Sequence, residues 1–124
     1  MGDIYLDLTI ANIHDRERQK ELSFLVDTGA TRTWIPKETA DELDITPVGT
    51  VPLELADGTI KAYPYGFCVF DFGGETIVGN VIIGPAKNEP LVGTHVLQDF
   101  RMIIDMDKHV VSRGRAMKAK KFAR

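Results

Sequence analysis

Cysteine is almost absent from this chain. Cys68 stands alone among 124 residues, so no internal disulfide can form, and a reducing, cytoplasmic setting is the expectation. No apolar run is long enough to cross a bilayer, which predicts no membrane helix. Met1-Gly2-Asp3-Ile4 lacks a basic stretch followed by an apolar one, so no secretory signal is expected. Serine occurs only at Ser23 and Ser112, neither within Gly-x-Ser-x-Gly, which argues against a serine nucleophile. His14, His95 and His109 are scattered without metal-ligand spacing, so no metal is expected. A glycine-rich phosphate loop is missing too, and no cofactor is implied. Acidic residues vanish near the end of the chain. Residues 1–111 hold all eighteen acids against nine bases, whereas residues 112–124 hold six bases and none. That asymmetry predicts one domain over 1–111 and a basic, solvated, flexible tail over 112–124. With few aromatics in the tail, nucleic acid is not an expected partner.

What remains is the composition of one globular domain. Hydrophobic residues make up 44% and charged residues 27%, enough for a real core in a chain of this length. Ile4, Leu6, Leu8 and Ile10 alternate with Tyr5, Asp7 and Thr9, the period of a half-buried strand. Asn12 to Lys20 reads as a polar hairpin loop, after which Leu22, Phe24 and Val26 resume the alternation. Pro36 suits the first turn of a short helix, Lys37 to Leu43. Val51 to Tyr63 reads as a second hairpin with Asp57-Gly58 at its tip, a strong local turn signal. Phe67 to Phe72 is read as another strand, turned back by Gly73-Gly74 into Thr76 to Ile83. Thr94 is placed as the cap of a short helix ending at Phe100, and Met102–Ile104 and Val110–Val111 as the last strands. Trp34 and the phenylalanines are read as core, and Cys68 as a buried, inert thiol. The class is mostly β with one or two short helices.

The stretch Phe24-Leu25-Val26-Asp27-Thr28-Gly29-Ala30 carries the chemistry. An apolar strand delivers one carboxylate, Asp27, to the start of a tight loop, where partial desolvation and backbone N–H groups can tune it. Thr28 offers a short hydroxyl to a neighbouring chain or loop. Gly29 lets backbone approach the carboxylate with no Cβ in the way. Ordinary turn chemistry would also place an Asp after a strand.

Asp27-Thr28-Gly29-Ala30 resembles the signature of aspartic proteases. Its order with the hairpin, the strand pair, and Leu91-Val92-Gly93 before a helix resembles the retropepsin-like, retroviral-type members. Asp27-Thr28-Gly29-Ala30-Thr31 with Ile35-Pro36 looks most like cellular and prokaryotic ones. The resemblance covers about residues 4–111 and implies a closed β-barrel with a flap hairpin. It implies catalytic roles for Asp27, Thr28 and Gly29, and substrate binding by Ala30, by Ala56, Asp57, Gly58 and Thr59 at the flap tip, and by Val92 and Gly93 behind the Asp27 loop. Thr31 and Thr94 stand where many retroviral members pair an acid with an arginine, so dimer stabilisation differs here in detail.

One Asp-Thr-Gly per chain supplies half of a two-carboxylate site. The resemblance therefore implies a two-fold homodimer acting as an aspartic endopeptidase on a peptide or unfolded protein, without a cofactor. The alternative kept open is a catalytically silent dimeric binding or scaffold module on the same fold.

Overall fold

The computed structural model describes residues 3–114. Period-two alternation near the N-terminus forms β1 (Tyr5–Ala11), which buries Leu6, Leu8 and Ile10 on one face. It pairs antiparallel with β2 (Gln19–Val26), from Tyr5 opposite Leu25 to Ala11 opposite Gln19. β3 (Trp34–Pro36) leads straight into α1 (Lys37–Glu42). Then come β4 (Gly49–Glu54), β5 (Ile60–Phe72), β6 (Glu75–Gly84) and β7 (Leu91–Val92), followed by α2 (Thr94–Asp99) and the hairpin β8 (Met102–Asp105) and β9 (Val110–Arg113).

Seven strands form one sheet in the order β1-β2-β7-β3-β6-β5-β4, and β1 also pairs with β5. β2–β7 and β3–β6 are parallel, so residues distant in sequence meet at the end of β2. Phe24, Phe70 and Phe100 are fully buried in the core with Leu8, Ile10, Val92 and Val96. At about 25 cal/mol per Å² of apolar surface, burial of such side chains is the main stabilising contribution. Cys68 is buried in this core, and its desolvation pushes the thiol up to about 12, which leaves it protonated and unreactive.

Several expectations need correction. β5 is one strand of 13 residues, not two. Its first half pairs with β4 and its second with β6, and Tyr65 is paired on both sides, with Gly49 and Ile82. Those two ladders carry the strand through Pro64 and Gly66, which read as a break in the sequence. Pro36 is not in the first helical turn. It ends β3 opposite Gly84 and is the N-cap residue of α1, with φ −73° and ψ 156°. Thr94 is not a cap either, because Gly93 takes that place and no side chain bonds there.

β9 runs on to Arg113, two residues past the boundary expected at 111. The Arg113 guanidinium lies 4.9 Å from the Phe72 ring centroid and 2.9 Å from Glu75. Cation–π and ionic contacts thus hold a base that its sequence neighbours suggested was solvated. The rest of the expected basic tail, residues 115–124, lies outside the described residues. Among the described residues no helix is long and apolar enough to cross a membrane.

Candidate active site

β2 ends at Val26, and Asp27 begins the loop. The Asp27 N–H donates to Val92 O at 3.1 Å, and the Ala30 N–H donates to Asp27 O at 3.2 Å. The half-buried side chain is held by the Gly29 N–H, which donates to Asp27 Oδ1 at 2.9 Å. A Cβ on Gly29 would stand 3.3 Å from that oxygen, tight enough to disturb the contact. One carboxylate oxygen is thereby fixed by backbone.

Behind the loop lies β7 with the start of α2. The Thr94 N–H donates to Ala30 O at 2.8 Å and the His95 N–H to Thr31 O at 3.4 Å. These N–H groups, orphaned at any helix start, tie the loop down instead. Gly93 crosses so closely that a Cβ would lie 2.4 Å from Arg32 O and 2.6 Å from Thr31 O. No side chain fits there. The Gly93 N–H donates to Oγ1 of Thr33 at 3.1 Å, and Thr33 is completely buried.

In front of the loop is a cleft of about 670 Å³ that brings Asp27, Gly29 and Ala30 together with Leu53, Glu54, Leu55 and Ala56 of the β4–β5 hairpin. Thr31, Arg32 and Trp34 complete its wall. The remaining residues expected at the site are placed elsewhere. Thr28 is exposed and does not line the cleft. Asp57, Gly58 and Thr59 stand beyond it at the exposed hairpin tip. There Asp57 Oδ1 accepts from both the hydroxyl and the N–H of Thr59 at 2.6 and 3.0 Å, which lowers its pKa. Val92 and Gly93 are buried behind the loop, supporting it without reaching the cleft.

Residues 17–99 match the protein family described as "gag-polyprotein putative aspartyl protease". The chain belongs to this family. No curated protein sequence matches it. Among solved structures it is similar to a retropepsin-like aspartic protease from Rickettsia conorii, at 18% identity and a TM-score of 0.60, covering 85% of this chain and 78% of that one. The EIAV protease complexed with the inhibitor HBY-793 superposes with a TM-score of 0.61 at 15% identity, over 79% of this chain and 88% of that one. The retroviral protease-like domain of Ddi1 from Leishmania major gives 0.60 at 17% identity, over 94% and 91%. These likenesses show the fold, which is mostly β and retropepsin-like.

Three features of the site escaped the sequence reading. Trp34 is half-buried and faces the cleft, where its alternation had suggested core. Leu53, Glu54 and Leu55 line it although only the hairpin tip was singled out. Thr33 is a supporting residue, and no local signal set it apart from Thr28 and Thr31 in the same loop. His95 is half-buried with Nε2 unpartnered among the described residues. Burial lowers its pKa, with Asp99 opposing the effect and Arg32 adding to it. Among the described residues no three His, Cys, Asp or Glu converge as metal ligands.

Proposed function

We propose that this chain is one half of a two-fold homodimeric aspartic endopeptidase acting on a peptide or unfolded protein. The observation that supports this best is Asp27 itself. It starts the Asp-Thr-Gly loop, has one oxygen fixed by the Gly29 N–H, and shares a cleft with the β4–β5 hairpin. In the proposed dimer the closed pairing of β1 with both β2 and β5 makes each subunit a barrel, and Asp27 of each subunit meets at the axis. Two adjacent carboxylates share one proton and titrate as a unit. The ionised member takes a proton from water while the protonated one polarises the scissile carbonyl. The exposed Thr28 hydroxyl is then available to bond across the axis. The hairpin closes over substrate as a flap and excludes water. Arg32 and Glu54 put charge of both signs on the cleft wall, where they orient a peptide.

The test is hydrolysis of an unstructured protein by wild type and by Asp27→Asn, with and without an aspartic-protease inhibitor. Inhibitor-sensitive cleavage lost in a folded Asp27→Asn protein supports the reading. Cleavage that survives the substitution ends it.

A further inference from the structure

A second cavity adjoins the Asp27 cleft, and the two share Trp34 and Leu55 as a common wall. It measures about 340 Å³ and is bounded further by Tyr63, Pro85 and Leu91. The Trp34 and Tyr63 rings meet edge to face at 5.0 Å, giving it a firm aromatic side. Asn88 and Glu89 are its polar residues. Glu89 Oε2 accepts from the Tyr5 hydroxyl at 3.0 Å, while Oε1 has no partner among the described residues. The Asn88 side-chain amide donates one N–H to Glu89 O at 3.1 Å, and its oxygen has no donor among the described residues. No lysine or arginine among the described residues forms an ion pair with Glu89.

We infer that this side cavity is a specificity pocket for a long basic side chain, lysine or arginine, of the peptide bound in the Asp27 cleft. The inference rests on the protease reading for its occupant. The walls suit such a side chain in two ways. Its methylene stem lies along Leu55, Leu91 and Trp34, as basic side chains do on apolar surface. Its cationic head finds the free Glu89 oxygen and the Asn88 carbonyl, with aromatic faces nearby. A purely apolar occupant would cover the free oxygen of the exposed Glu89 and offer it no donor in place of water, which is unfavourable. An acidic occupant would meet Glu89 as a like charge. Lys61 lies 5.4 Å from the Tyr63 ring centroid but is exposed and does not line the cavity.

Trp34 is the only tryptophan in the chain, so its fluorescence reports on this wall. The experiment titrates the full-length Asp27→Asn protein with tryptophan-free octapeptides, a single Arg being walked along an Ala/Leu background. Matched sets carry Lys, Leu or Glu at the same place. The expected result is one register in which Arg and Lys bind about tenfold tighter than Leu and shift Trp34 emission, the order expected of a charge-assisted contact. Glu89→Gln, made in the same protein, should bring the Arg-to-Leu ratio close to one, and Glu89→Lys should make Glu the preferred residue. No preferred Arg register, or a preference that survives Glu89→Gln, overturns the pocket. The same peptides given to wild type separate the two readings. Cleavage indifferent to the basic residue sinks the pocket and leaves the protease standing. Glu89-dependent binding of the Arg peptides with no cleavage sinks the protease and leaves a pocket for basic peptides.

Discussion

Gly93 and Gly58 mark two regions of this molecule built to opposite specifications. Gly93 crosses behind the Asp27 loop with carbonyl oxygens where its Cβ would be. Gly58 sits at the β4–β5 tip at φ +88°, with nothing within 4 Å of the same imagined atom. The first glycine is required by space, the second only by backbone conformation. Around Gly93, the loop residues Asp27, Ala30 and Thr31 are each bonded to β7 or α2. Around Gly58 the bonds are local, between Leu55, Asp57 and Thr59. Between Tyr65 and the tip the two hairpin limbs pair only with each other. The contrast teaches where each region keeps its precision. The carboxylate is held by distant parts of the chain, whereas the hairpin tip is held only by its own local bonds.

The largest effect is expected at the carboxylate. Mixing wild type with excess Asp27→Asn should poison the proposed dimer. After subunit exchange the rate should follow approximately the square of the wild-type fraction, because a mixed pair of carboxylate and amide cannot share the proton. A linear dependence, with exchange verified independently, would mean that each chain holds a complete site, and Glu54 in the same cleft would become the second carboxylate to test. Next comes Gly93→Ala. Collision with two backbone carbonyls should destabilise the chain by about 3 kcal/mol or more, read from its denaturant midpoint.

Thr33→Val should follow at about 1–3 kcal/mol, since it strands the buried Gly93 N–H. Urea unfolding measures this, and a wild-type midpoint would remove Thr33 from the support. Gly58→Ala should lower stability by only about 1–2 kcal/mol, the strain of a left-handed residue in open space. If it unfolds the protein as Gly93→Ala does, the contrast is broken. The smallest effect lies far from the site. Arg101 donates two hydrogen bonds to Glu75 at 2.8 Å, and Arg113 adds its charge. Together they hold the Glu75 carboxyl below its ordinary value. A depressed folded-state pKa stabilises above the ordinary glutamate range, and that stabilisation disappears as pH falls through the depressed value. Glu75→Gln should flatten the acid limb of a Tm-against-pH curve, and an unaltered limb would discount the pair.

Legibility in the sequence followed the range of the interactions involved. β1, β2 and the Asp27 turn are local patterns of period and turn chemistry, and they were readable. Trp34 was not, because alternation tells which face a side chain takes but not whether that face meets core or cleft. The unbroken β5 was hidden for a similar reason. Pro64 and Gly66 are local break signals, overridden by ladders on either side. Thr33, half of the support for Gly93, is 60 residues away from it in sequence, beyond any local pattern. Arg113 looked solvated beside its basic neighbours until Phe72 and Glu75 appeared next to it.

The parallel pairing of β2 with β7 also sets a timetable. Asp27 and its loop are made early in synthesis, but their backbone partners at Val92, Thr94 and His95 emerge only near the end of the domain. Contacts of such long sequence separation are late and slow to form. A nascent or truncated chain that stops before β7 therefore carries the Asp-Thr-Gly letters without the backbone partners that shape the loop.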